Sequence, residues 1–198
     1  MTKSQTTEEL AEILTKGLES HPRFEEIKRL IFTNVEPDAE IYLIGGAVSR
    51  TLVNELYGTP TILHDFDFVT SGSLTATKHI PDGWIVTYSK FNNPTFVNGD
   101  VSVDLWPISS QEFVKAHKLL PTIENLFKGV AFTIQALGYD LRTKELVGEV
   151  GIAALKSRTF AINNLKNAMD EAKRKGVTVQ ERMLAKAKSM AFNAILPK

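Results

Sequence analysis

Apolar positions along the chain recur with two periods, and the switches between them predict its elements. Leu10, Ile13, Leu14 and Leu18 repeat at helical spacing behind Thr6 or Thr7, either of which can cap a helix that opens with Glu8 and Glu9. Phe24, Ile27, Leu30 and Ile31 make a second stripe, with Pro22 suited to the first turn and Pro37 beyond the end. Both helices are expected to cover a sheet, and His21 between them to act as a cap or face solvent. Ile41 to Ile44 is an unbroken apolar run, read as a buried strand that ends on Gly45 and Gly46. Val48, Leu52, Val53 and Leu56 then return to helical spacing as far as Gly58 and Pro60. The next strand carries Asp65 and Asp67.

Further along, Trp84 to Tyr88 has strand composition. Thr95 to Val97 and Val101 to Leu105 flank Asn98-Gly99-Asp100, which predicts a hairpin whose second strand carries Asp104. Pro107 ends that strand, and Gln111 to Leu119 reads as helical. Phe66, Phe68 and Trp106 are assigned to the core. Leu141 to Val150 suits a short hairpin around Thr143 and Lys144. Helix is expected over Leu155 to Lys175, stopped at Gly176, and over Val179 to Ile195, stopped at Pro197. There is no internal repeat and no Gly/Ser linker, so Gly151 is the candidate boundary. It divides a head of residues 1–151 from a helical segment of residues 152–198.

At 198 residues the chain suffices for one core with a small appendage. Its net charge is zero, but the charge is unevenly placed. From Ile152 to Lys198 ten Lys and Arg face three acidic residues, about +7, which leaves the first 151 residues at about −7. The basic part can meet phosphates or simply keep helices solvated, and Lys173-Arg174-Lys175 fits either role. Absence of cysteine excludes disulfides, thiolate zinc sites and cysteine nucleophiles. The N-terminus lacks the apolar stretch of a signal peptide and no run is long enough to span a membrane, so a soluble, cytoplasmic protein is expected.

Candidate chemistry gathers in the central stretch. Asp65 and Asp67, two apart on a strand, point to one face, and adjacent like charges there favour a cation between them. Asp104 on a neighbouring strand would complete a cluster. Nucleotidyl transfer needs this arrangement: two divalent ions, magnesium being the hard cation that takes such oxygen ligands, lower the pKa of the attacking hydroxyl and hold the triphosphate. Asp65 and Asp67 would bridge both ions, and Asp104 would hold the one at the nucleophile. Gly45 and Gly46 let backbone approach phosphate at a helix N-terminus, where Ser49 and Arg50 add a hydroxyl and a guanidinium. No Lys-Ser or Lys-Thr follows the glycines as in a P-loop, and no third glycine marks a dinucleotide fold.

In order, Gly45-Gly46-Ala47-Val48, His64-Asp65-Phe66-Asp67-Phe68-Val69-Thr70, Val103-Asp104-Leu105, Phe132 to Asp140 and Gly151 to Lys156 resemble the head domain of class II CCA-adding tRNA nucleotidyltransferases and bacterial poly(A) polymerases. The resemblance covers Ile41 to Arg158. It implies an α+β, polymerase-beta-like nucleotidyltransferase fold with a small mixed sheet flanked by helices. It also implies magnesium at Asp65, Asp67 and Asp104, an NTP donor, and Phe132 and Thr133 lining the nucleotide pocket. Departures are visible. Ser49-Arg50 stands where the family has Arg-Asp, and Gly129-Val130-Ala131 where it has Arg-Arg-Asp, with Lys128 the nearby charge. Gln135 replaces an Asn, and no Glu-Asp-x-x-Arg set is found. The expected activity is therefore NMP transfer to an RNA end, a small molecule or a protein, short of full CCA addition. The alternative is a catalytically reduced relative that binds nucleotide or RNA or serves as a protein-interaction partner.

Overall fold

The computed structural model describes residues 5–60, 62–75, 80–89 and 92–196. Two N-terminal helices, α1 (Thr7–Glu19) and α2 (Phe24–Thr33), precede β1 (Ile41–Ile44), α3 (Gly45–Tyr57) and β2 (Asp65–Thr70). Then come β3 (Ile85–Tyr88), β4 (Pro94–Asn98), β5 (Val101–Pro107), α4 (Glu112–Ala116) and α5 (Ile123–Phe127). The rest is β6 (Gly138–Asp140), β7 (Leu146–Val147), α6 (Glu149–Ser157), β8 (Thr159–Ala161), α7 (Leu165–Arg174), α8 (Val179–Ser189) and β9 (Asn193–Ile195).

Local chemistry explains most of these limits. Thr6 caps α1 in a reciprocal box, its hydroxyl accepting from the Glu9 N–H while the Glu9 carboxylate accepts from the Thr6 N–H. Pro22 lies before α2 and not in its first turn, because that helix starts at Phe24. His21 is half-buried ahead of α2: its Nδ1 accepts from the N–H of Arg23, the residue that precedes the helix, at 3.3 Å, and its ring stands edge-on to Phe66 at 5.2 Å. Gly58 ends α3 in the left-handed conformation. The β4–β5 hairpin turns where Asn98-Gly99-Asp100 predicts it, with Gly99 at a positive φ.

Among the described residues the main sheet has seven strands in the order β3-β4-β5-β2-β1-β6-β7. Its pairings are antiparallel except β2 with β5. Alternation divides it into two faces. Ile41, Leu43, Phe66, Phe68, Val103 and Leu105 pack beneath α1, α2 and α3 in the large core. Tyr42 and Val69 instead join Ile108, Val114, Ile123 and Phe127 from the α4–α5 region in a smaller cluster on the other face. Trp106 packs half-buried against that second cluster, apart from Phe66 and Phe68. It shares the parity, and therefore the face, of Asp104.

The C-terminal segment departs from an all-helical reading. Arg158 takes a left-handed conformation that ends α6, and Thr159–Ala161 pairs in parallel with Asn193–Ile195. Phe160 at the centre of that ribbon is fully buried. Burial of this ring on a strand outweighs helical propensity on either side of it. Gly151 falls inside α6, where a Cβ would come within 2.4 Å of the Ala136 carbonyl oxygen. Pro197, expected to stop the last helix, lies outside the described residues. Among the described residues no helix is long and apolar enough to cross a membrane.

Candidate nucleotidyl-transfer site

Strand register assembles the site. A single row crosses the sheet through Gly138 on β6, Ile44 on β1, Asp67 on β2, Asp104 on β5 and Thr95 on β4. Neighbouring strands lie about 4.8 Å apart, so Asp67 and Asp104 are side by side on one face with Asp65 two residues along. Phe66 and Phe68 alternate into the core and hold β2 so that its aspartates face outward. Asp65 is exposed and Asp67 half-buried.

Asp67 carries the electrostatic cost of this cluster. Burial, then the charges of Asp104 and Asp65, push its carboxyl up to about 6, against the opposing pull of Arg50 and Lys186. The charge of a hard divalent cation, which takes oxygen ligands, would offset both repulsions. Among the described residues, however, no three His, Asp or Glu side chains converge tightly enough to hold an ion together. One Asp104 oxygen accepts a hydrogen bond from the Thr95 hydroxyl.

Gly45 is required at the mouth of this face. Its φ is +70°, and a Cβ placed on it would lie 3.1 Å from Asp67 Oδ2. α3 therefore starts directly beside the carboxylate, and its N-terminus has no side-chain cap. Arg50 leans back over the first turn, its Nε 3.8 Å from where a Cβ of Gly46 would be.

Other residues from the sequence reading lie differently. The Ser49 hydroxyl is buried and donates to the Gly45 carbonyl at 3.1 Å, turned along its own helix. Lys128 Nζ donates to Asn125 Oδ1 at 2.7 Å. Phe132 is fully buried, its ring 4.9 Å from that of Phe160. Thr133 Oγ1 accepts from the Ala161 N–H at 3.2 Å and thereby ties the segment to β8.

Three features escaped the sequence reading. Lys186 on α8 is the first. Its ammonium is 3.2 Å from Glu171 Oε1, lies over the Phe132 ring, and its charge reaches both Asp67 and Arg50. Burial pushes the lysine below its ordinary pKa, and Glu171 only partly offsets this. Burial would raise the Glu171 carboxyl, but Lys186 and Arg182 outweigh it and hold the group below its usual range. One carboxylate thus serves two cations, since Arg182 Nη2 is 2.8 Å from the same oxygen. The available signal was a lysine three residues after Met183, on the inward phase of α8.

The second is an asparagine clamp. Asn163 Nδ2 donates to the Phe127 and Val130 carbonyls at 2.8 and 2.9 Å, Asn164 to Lys128 at 3.0 Å, and Asn167 to Gly129. The uncharged 129–131 segment is held by these amides to the start of α7. The helix expected over Leu155 to Lys175 ran through these asparagines, although Asn ahead of a helical stripe is a capping signal. Thr95, which restrains Asp104, is the third, and nothing in its own sequence context marks it.

A mixed seven-stranded sheet flanked by helices and entered through a glycine turn into a helix is a fold of the nucleotidyltransferase type. Solved structures share it. The apo form of a CCA-adding enzyme matches with a TM-score of 0.65 at 18% identity, over 94% of this chain and 42% of that one. A CCA-adding enzyme in complex with ATP matches at 0.63 and 18%, over 94% and 42%. The Thermotoga maritima CCA-adding enzyme complexed with tRNA matches at 0.56 and 20%, over 88% and 44%. The chain thus spans about two fifths of the length of these enzymes. No protein-family model matches it, and no curated protein does.

Proposed function

We propose that this chain transfers a nucleotidyl group from an NTP to an acceptor hydroxyl, with release of pyrophosphate. The observation that carries the reading is the row in which Asp67 and Asp104 stand adjacent, beside Gly45, with the Asp67 carboxyl pushed up to about 6. Asp65, Asp67 and Asp104 are the residues that would hold two magnesium ions. Those ions, when bound, supply Lewis acidity toward the hydroxyl and the triphosphate. The protein's own groups do the rest. The first-turn N–H groups of α3 face the phosphates, and Gly45 keeps that approach open. Arg50 and Lys186 place positive charge where pyrophosphate builds up negative charge. The acceptor oxygen bonds to the α-phosphorus, the bond from that phosphorus to the bridging oxygen of pyrophosphate breaks, and the hydroxyl proton passes to Asp104 as base.

RNA is among the acceptors this reading allows, with a small molecule or a protein side chain the others. Incubation with each α-labelled NTP, magnesium and either total RNA or the protein alone tests it. Label should move to an acceptor, and Asp65→Asn or Asp67→Asn should abolish the transfer. Binding without transfer would instead support a catalytically reduced nucleotide binder. Two observations favour that second reading: the Thr95 bond on Asp104, and the clamped, uncharged 129–131 segment.

A further inference from the structure

A second surface lies away from the carboxylate face. Between α1 and the β6–β7 hairpin runs an open cleft of about 640 Å³, with Ala11, Leu146 and Val147 as its apolar floor. Its rim is acidic. Glu19 is paired with Lys144 at 3.2 Å, which leaves Glu8, Glu12 and Glu145 on the rim against Lys16. At the other end of the chain, α7 has the opposite character. Ala168 and Ala172 face inward, while Leu165 and Met169, one turn apart, are 57% and 56% exposed. Lys166, Lys173 and Arg174 are exposed beside them. Asp170 is exposed between Lys166 and Arg174, so this face joins two large apolar side chains to a net positive charge, a combination poorly suited to water alone.

We propose that the cleft between α1 and β7 receives the outward face of α7 from a second copy of this chain. Leu165 and Met169 would cover Ala11, Leu146 and Val147, while Lys173 and Arg174 meet Glu12 and Glu145. Charge is the argument for a second copy. The molecule is neutral as a whole, yet the segment from Ile152 on carries about +7 and the remainder about −7, so two copies attract when the basic end of one meets the acidic cleft of the other. The helix cannot fill its own cleft, because Asn164 and Asn167 fasten its inner side to the carbonyls of Lys128 and Gly129. Cleft and helix are different surfaces, and a two-fold axis that uses both contacts at once gives a closed dimer.

Sedimentation of the full chain tests this. A dimer is expected at low salt, with its dissociation constant rising at least tenfold between roughly 50 mM and roughly 500 mM salt, where charges more than a few ångströms apart are screened. Glu12→Lys with Glu145→Lys gives a molecule with a basic cleft and a basic helix. Lys173→Glu with Arg174→Glu gives one with an acidic cleft and an acidic helix. Each should be monomeric alone, and a 1:1 mixture should form a heterodimer through two restored contacts. Met169→Glu weakens the same contact without altering the cleft, and thermal melts verify that every variant is folded. A wild type that stays monomeric at low salt would overturn the proposal, as would variants that dimerise alone or fail to pair when mixed. So would a basic α7 face that binds RNA homopolymer while the protein remains monomeric.

Discussion

Asp67 on β2 and Asp104 on β5 stand opposite one another in the parallel pairing of these two strands, with Ile44 on the far side of Asp67 and Thr95 on the far side of Asp104. The two carboxylates therefore occupy neighbouring positions on one face, and the sheet cannot relax to separate them. Repulsion is built into the backbone register, and proton uptake or a bound cation is what relieves it.

The first prediction concerns pH. Asp67 has a folded pKa of about 6 against 3.8 in the reference state, so between these values the folded protein holds the extra proton. Its stabilising contribution is complete below about 4 and is lost as pH rises through about 6. In chelator, thermal stability should fall across that window. Asp67→Asn should remove the dependence and raise stability at pH 8 by roughly 2–3 kcal/mol, from about 1.4 kcal/mol per pKa unit. Melting curves at closely spaced pH values would show it, and equal slopes for wild type and variant would refute the assignment.

Magnesium should act in the opposite direction. At pH 8 it should raise the melting temperature of the wild type but not that of Asp67→Asn, since the ligand binds only the folded state and only the wild type keeps the full charge. Calorimetric titration of both proteins is the direct measurement.

Gly45→Ala should damage the site twice over. The left-handed backbone there costs an alanine about 1–2 kcal/mol. The added methyl would also crowd Asp67 Oδ2 at 3.1 Å. Lower stability with a larger loss of label transfer is expected. Gly58→Ala, where a Cβ meets nothing within 4 Å, controls for the backbone effect alone.

Lys186→Met should separate binding from folding. A charge-assisted hydrogen bond is worth about 1.5–3 kcal/mol, so KM for the NTP should rise roughly tenfold or more. Glu171 keeps Arg182 as a partner in that variant, and stability should hold. Glu171→Gln is the counterpart. It leaves two cations without their shared anion, and should lower stability by roughly 2 kcal/mol, less than for a fully buried pair.

Asn163→Ala tests the clamp. Two carbonyls, those of Phe127 and Val130, lose their amide donor. A cost of about 1–3 kcal/mol is expected, seen as a melting temperature lower by several degrees for a chain of this size. An unchanged melt would mean that α7 is held by other contacts.

Residue order alone was enough for whatever depends on near neighbours. Alternation put Asp65 and Asp67 on one face, the Asn98-Gly99-Asp100 turn returned β5 alongside β4, and helical spacing placed α1, α2 and α3. The ordered glycine and aspartate motifs also led to the fold that the solved structures share. Long-range register was beyond its reach. That Asp67 is matched with Asp104 and Asp104 with Thr95, that Lys186, more than a hundred residues after Asp67, brings its charge to bear on that carboxylate, and that Ser49, Phe132 and Thr133 turn inward are outcomes of packing. The strands β8 and β9 belong to the same class, because neither has a partner until α7 and α8 fold between them. Periodicity reports which face of an element is apolar, while the identity of what covers that face, and of the charges it brings, is settled only when the whole chain competes for burial.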